Sequence, residues 1–239
     1  MNPTEIQLFM FDYDGTLRDS MNPSVPGTKP SAFAEAIIQY HPELRRQSEE
    51  IKQLYFNTSG MNRIRQLHLV EDHFGVRSIP SEQEKEWSAC FDSHIHEREM
   101  PLFPEAAPTV AALKLKNYIV GIGSSVPHDK LVEVVSYFPA LYNNLDFILG
   151  TQKWSKSPGA QADFVKGLPY IAWACGKYDL RPENIAFVGD AEEDMRVGYD
   201  TGTFTIGRID GRIPNRRDIL LKHNPDLLVE SLDEILSLF

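Results

Sequence analysis

Two short apolar runs in this chain each stop on an aspartate, and that repetition constrains the fold more than any other feature. Ile6–Phe11 (IQLFMF) runs into Asp12, and Asn184–Asp190 (NIAFVGD) ends on Asp190. Apolar runs of this length without polar alternation suit strands buried on both faces of a parallel sheet. Similar runs occupy Tyr118–Gly123 and Leu145–Gly150, then Thr201–Gly207 and, more weakly, Asp226–Val229. Helix-like stretches lie among them, at Ala106–Asn117, Asp129–Phe138, Pro169–Tyr178 and Glu192–Tyr199. Strands alternating with helices predict an α/β fold with a Rossmann-like parallel sheet. Ligands of such sheets bind beyond the carboxyl ends of the strands, which is where both aspartates fall.

The interval from Met21 to Phe103 reads differently. It opens with the proline-rich loop MNPSVPGTKPS and closes at PLFPEAAP. Between them lie four helix-like segments, Ser31–Tyr40, Pro42–Phe56, Asn62–Phe74 and Ser81–Met100, and no convincing strand. The expected organisation is therefore a catalytic core of residues 1–18 and 104–239 with a helical cap, 19–103, inserted after the first strand.

The charge balance narrows the partners. With 24 Lys+Arg against 34 Asp+Glu the formal net charge is −10, which disfavours nucleic acid and anionic membranes as partners. No run approaches the roughly 18 apolar residues of a membrane span. The amino-terminal segment has no basic stretch and no signal-peptide cleavage pattern. Two cysteines, Cys90 and Cys175, make no disulfide framework at this size and fit a reducing compartment, so a cytoplasmic location is expected.

The chemistry concentrates in FMFDYDGTLRDS. Asp12 and Asp14 follow a buried strand directly, and Gly15-Thr16 turns the chain away. Two carboxylates at a strand end can hold a hard cation through oxygen. One can equally be a nucleophile and the other a general acid–base. A plain acidic turn is the bland alternative. In FVGDAEED, Asp194 lies four residues beyond Asp190, which brings it near the same face at a helix start. A buried carboxylate pair of this kind is costly unless a cation sits between. Glu192 and Glu193 read as first-turn residues that suit the helix dipole.

Taken together, DxDGT, a helical insertion, a small-residue strand end, a lysine and GDxxxD resemble the haloacid dehalogenase-like hydrolase superfamily. The similarity spans nearly the whole chain. It is strongest to the group of phosphoglycolate phosphatase and β-phosphoglucomutase, whose helical cap follows the first motif. The resemblance implies a magnesium-dependent phosphatase acting on a small phosphorylated metabolite through an aspartyl-phosphate. Asp12 would be the nucleophile, and Asp14 the acid for the leaving oxygen and then the base for water. Mg2+ would sit among Asp12, the carbonyl of Asp14 and Asp190, with Asp194 supporting or ligating. Ser124, helped by the backbone N–H of Ser125, would bind phosphate oxygens; relatives often carry Asn at the Ser125 position. In TSGMNRIRQL, Arg63 matches the specificity loop of the cap and would clamp a distal carboxylate or phosphate. Asp19 and Ser20 complete the DGTLxDS pattern. A phosphomutase, or a non-catalytic binding protein on the same scaffold, are the alternative readings.

The phosphate-site lysine has two candidates. Lys166 lies 24 residues before Asp190 and Lys156 lies 34 before it. A helix opened by Lys156 would carry Pro169 inside it, whereas one opened after Lys166 places Pro169 in its first turn. Lys166 is preferred, with Lys156 and Trp154 on a more exposed loop. Other suggestive residues read as ordinary. His94 and His96 point to different helix faces, and His68 and His73 make no HExxH. Gly121-Ile-Gly123 is no dinucleotide fingerprint. Cys175 and Trp87 read as packing residues. Arg212, Arg216 and Arg217 read as a solvated basic loop.

Overall fold

The computed structural model describes residues 5–58, 61–152 and 164–239. Six strands, β1 (Leu8–Phe11), β2 (Ile119–Pro127), β3 (Phe147–Thr151), β4 (Ile185–Gly189), β5 (Phe204–Arg208) and β6 (Leu227–Val229), form one sheet. Its order is β3-β2-β1-β4-β5-β6 and every pairing is parallel. The chain divides into two compact units: Met1–Arg18, Leu102–Gly211 and Asn215–Phe239, which carry the sheet, and Asp19–Pro101 with Arg212–Pro214.

The second unit holds α1 (Lys29–Tyr40), α2 (Ser48–Asn57), α3 (Arg63–Phe74) and α4 (Glu84–Ser93). Proline opens α1. Asn62 caps α3, its side chain accepting from the N–H groups of Ile64 and Arg65. Phe33, Ile37, Ile51, Leu67, Trp87 and Phe91 make the shared core. Ile213 packs on Met21 and Phe56, so the segment 212–214 belongs here.

Two helix expectations are corrected in this unit. Pro42–Phe56 is a 3-10 helix, Pro42–Gln47, followed by α2. Ser81–Met100 is a 3-10 turn, Ser81–Gln83, followed by α4, which stops at Ser93. The apolar spacing of Phe91 and Ile95 continues the helical stripe past that stop. The N–H of His96, however, donates to the Gly27 carbonyl instead of to the helix.

The sheet unit carries α5 (Ala106–Leu115), α6 (His128–Ser136), α7 (Pro139–Tyr142), α8 (Leu168–Tyr178), α9 (Glu192–Thr201) and α10 (Arg216–Leu221). Strand β1 is central, and all four of its residues are fully buried. Alternation sorts them: Phe9 and Phe11 pack on one face with residues of α5 and α6, Leu8 and Met10 on the other with residues of α8. Each such side chain contributes roughly 1.5–3 kcal/mol relative to exposure. Gly121 has a packing reason, since a Cβ there would lie 2.4 Å from the Phe147 ring. No described helix is long and apolar enough to cross a membrane.

Candidate active site

The carboxyl ends of β1 and β4 lie side by side, because the two strands pair from Leu8↔Ile185 to Phe11↔Val188. One further bond, from the N–H of Asp12 to the Val188 carbonyl (2.8 Å), carries the pairing to the first aspartate. Asp12 and Asp190 therefore end neighbouring strands.

Gly15 lets the two turns close on each other. Its φ is +84°, and a Cβ there would lie 2.5 Å from Asp190 Oδ1. A non-glycine residue would be strained at that φ and would also displace the carboxylate. Thr16 Oγ1 donates to Asp190 Oδ1 at 3.3 Å.

Asp194 comes in from the first turn of α9. Its Oδ2 accepts from the N–H of Ala191 at 2.9 Å, so the carboxylate folds back over the helix start. Asp12, Asp190 and Asp194 are all buried, and each offers an oxygen within 4.8 Å of the others. Lys166 Nζ reaches into this group, 3.0 Å from Asp12 Oδ1 and 2.7 Å from Asp194 Oδ1. It precedes Gly167 (φ 120°) and α8, which begins at Leu168 with proline in its first turn. Lys156 and Trp154 lie outside the described residues.

Burial, the largest cause, pushes the Asp12 carboxyl up to about 8; Lys166 pulls it down, and Asp194 and Asp190 push it up again. Burial presses the Lys166 ammonium towards neutrality, but Asp12 and Asp194 more than offset this and hold it charged. Lys166 and Arg216, whose Nη2 is 3.9 Å from Asp190 Oδ2, both set positive charge against the three carboxylates. An all-oxygen set crowded with negative charge fits a hard divalent cation such as Mg2+. Each carboxylate can supply one ligand oxygen.

The Asp14 side chain lies apart from this triad, paired with Arg18 (Nε to Oδ1, 2.6 Å). Ser124 and Ser125 lie within β2, which runs on to Pro127 instead of stopping at Gly123. After a register shift beyond Gly123 it pairs with β3 again at Pro127↔Thr151. Ser124 is buried, its carbonyl accepting from the Tyr170 hydroxyl at 3.0 Å. Ser125 is exposed and lines a cleft of about 500 Å³ with Thr151, Lys166 and Arg196. Arg63 opens α3 in the second unit, pairs with Asp92 (2.8 Å) and lies over the Phe91 ring.

The basic loop is a correction. Arg216 is buried at the start of α10, and Arg212 grips both oxygens of Asp19 at 2.6 and 3.0 Å. Arg212 and Arg217 are exposed, as expected, so the correction concerns Arg216; Arg217 pairs with Glu230. A further residue escapes sequence reasoning. Arg208, buried at the end of β5, donates to the Gly15 carbonyl (3.2 Å) and to Glu105, with its guanidinium 3.5 Å from the Phe103 ring centroid. A charged residue at the carboxyl end of an otherwise apolar strand is the signal that could have found it.

Similarity to other proteins agrees with this geometry. Residues 6–198 match the model of the haloacid dehalogenase-like hydrolases. A phosphoglycolate phosphatase of Haemophilus influenzae is 25% identical over 98% of this chain and 99% of its own length. Among solved structures, a haloacid dehalogenase-like family hydrolase of Streptococcus pneumoniae superposes with a TM-score of 0.67 at 21% identity, covering 98% of each chain. A HAD-superfamily hydrolase of subfamily IA from Geobacter sulfurreducens gives 0.61 at 17% identity, covering 98% of this chain and 96% of that one. With the family model spanning most of the sequence and both strand-end aspartates inside the match, this chain belongs to the haloacid dehalogenase-like hydrolase family.

Proposed function

We propose that this hydrolase is a magnesium-dependent phosphatase that cleaves a small phosphomonoester through an aspartyl-phosphate on Asp12. One observation carries the reading. Lys166 Nζ bridges Asp12 and Asp194 inside a buried cluster of three carboxylates, where a divalent cation would offset the negative charge that the ammonium leaves uncompensated. The curated relatives named phosphoglycolate phosphatase support phosphate ester hydrolysis and make phosphoglycolate the first substrate to test.

Asp12, Asp190 and Asp194 would hold Mg2+. When bound, the ion supplies charge to offset the phosphoryl oxygens and keeps Asp12 ionised. Asp12 attacks phosphorus as an anion, and the bond from phosphorus to the leaving oxygen breaks. Asp14 gives its proton to that oxygen, then takes one from the water that attacks phosphorus and releases Asp12. Lys166 and the hydroxyl of Ser124 hold the phosphoryl oxygens, with the backbone N–H of Ser125 as a further donor. Lys166 Nζ is already held between Asp12 and Asp194, so little reorganisation of the ammonium is needed as charge develops.

The test is hydrolysis of 4-nitrophenyl phosphate and a panel of metabolite phosphates with Mg2+ and with a chelator. Magnesium-dependent release of phosphate, abolished in a folded Asp12→Asn protein, is expected. Undiminished hydrolysis by that variant, or full activity under chelation, would refute the reading.

A further inference from the structure

Gly15 is where the turn after β1 meets the turn after β4, and its backbone is held from both sides. A Cβ on it would lie 2.5 Å from Asp190 Oδ1, so the close approach depends on its having none. The same lack of a side chain gives glycine the most backbone freedom, and a turn built on it needs other restraints. Its N–H donates to the Arg18 carbonyl at 2.8 Å, and its carbonyl accepts from Arg208 Nη1 at 3.2 Å. The first bond is local. The second comes from the end of β5, which lies beyond β4 in the sheet order.

Arg208 is itself clamped. Pairing of β5 with β6 holds its main chain, at Arg208↔Val229. The guanidinium lies 3.5 Å from the Phe103 ring centroid, and Nη2 donates to Glu105 Oε1 at 3.2 Å. Phe103 is anchored in turn by its N–H, which donates to the Leu17 carbonyl at 3.0 Å. Arg208 is 5% exposed, and its buried Nε meets no acceptor among the described residues. A buried cation with an unmade donor is a poor way to stabilise a fold, since apolar replacements of buried ion pairs are often neutral or stabilising. What the arrangement does provide is a rigid arm from β5 that fixes the Gly15 carbonyl.

We propose that Arg208 is a positioning residue for the magnesium site. By holding the Gly15 carbonyl it keeps the β1 turn closed against Asp190, so that Asp12 and Asp190 present their oxygens to one cation. The inference rests on the magnesium reading above and adds to it a residue that ligates nothing. Charge and position act in opposite directions here. A guanidinium near a cation site repels the cation, so on Coulomb grounds alone its removal strengthens binding. Loss of the brace frees Gly15 and lets the two carboxylates part, which weakens binding. The sign of the change therefore separates the two effects.

The experiment titrates Mg2+ into the wild-type protein, Arg208→Met and Arg208→Lys by calorimetry, with thermal midpoints taken in chelator to verify folding. Arg208→Met should bind Mg2+ about tenfold more weakly, the lower end of what groups supporting metal ligands contribute. The Mg2+ concentration for half-maximal hydrolysis of 4-nitrophenyl phosphate should rise by the same factor. Arg208→Lys, whose ammonium can still donate to the carbonyl, should recover part of the affinity; no recovery would make the loss a packing defect and overturn the proposal. Equal or tighter binding by a folded Arg208→Met would overturn it while leaving the magnesium site standing. No saturable Mg2+ binding by the wild-type protein would overturn the metal site and the proposal with it. Should Arg208→Met fail to fold, Arg208→Gln carries the comparison, weaker binding supporting the proposal and wild-type affinity overturning it.

Discussion

Lys166 Nζ lies 3.0 Å from Asp12 Oδ1, a pair 154 residues apart in sequence, Asp12 buried and Lys166 partly so. The sheet order brings them together, because β1 occupies the centre and the Lys166 segment leads into α8, which packs against its lower-numbered face residues Leu8 and Met10. Lys166→Met keeps the stem and removes the charge. It should lower kcat by about 10² to 10³, the usual effect of losing one transition-state donor. Steady-state kinetics on 4-nitrophenyl phosphate, with circular dichroism to verify folding, measure this.

Asp190→Ala removes one of the three carboxylates that would hold Mg2+ and the acceptor of Thr16. Magnesium affinity should fall, and calorimetric titration should show the weakened binding against the wild type. Unchanged affinity would move the metal away from the strand ends.

Metal removal should also show in the pH dependence of stability. The Asp12 carboxyl stands near 8 against an ordinary 3.8. Between those values the folded state holds a proton that the unfolded state has lost, so stability falls as pH rises from about 4 towards 8 and then levels. Thermal midpoints in chelator should follow that decline, and Mg2+ should flatten it. Asp12→Asn, which has no carboxyl to ionise, should lack this component with or without the metal.

Gly15→Ala introduces a side chain at φ +84° and 2.5 Å from Asp190 Oδ1. A left-handed non-glycine residue costs of order 1–3 kcal/mol, and the displaced carboxylate adds a loss of activity. Denaturant melts and turnover should fall together.

In the second unit, Glu71 is fully buried and accepts from the N–H of Ile79 (2.9 Å), with His68 Nδ1 (2.8 Å) and His41 Nε2 (3.1 Å) also against it. Burial raises its carboxyl, but these hydrogen bonds outweigh that and leave it below the ordinary 4.5. Its stabilisation is therefore present above about 4.5 and lost as pH falls through the lowered value. His68 is raised, chiefly by Glu71, so its share is present below 6.5 and lost as pH rises through the raised value. Glu71→Ala should destabilise by about 1–3 kcal/mol, the cost of leaving buried donors unmade. Urea melts at pH values between and beyond these limits check both the size and the sign.

Much of the core is readable because apolar runs punctuated by aspartate describe a strand and its end at once. Asp12, Asp190 and, through helical spacing, Asp194 follow from that, and Pro169 marks where the helix after Lys166 can begin. Less local features are not readable. The extension of β2 past Gly123 is seen only in its renewed pairing with β3 at Pro127↔Thr151. The stop of α4 depends on Gly27 capturing the N–H of His96. Arg18, Arg208 and Arg216 resemble surface residues in sequence, since an arginine is buried only where the fold supplies acceptors. Here Asp14 and the Gly15 carbonyl accept from Arg18 and Arg208, and Asp190 lies 3.9 Å from Arg216, all on the turns that follow β1 and β4.

The central claim is a covalent intermediate on Asp12, and rapid acid quenching during turnover tests it most directly. Peptide mass spectrometry of the quenched enzyme should find the mass of one phosphoryl group on the peptide carrying Asp12, localised to that residue and absent from Asp12→Asn. Active enzyme that yields no phosphorylated peptide under conditions that trap a known aspartyl-phosphate, or one phosphorylated at another residue, would contradict the account.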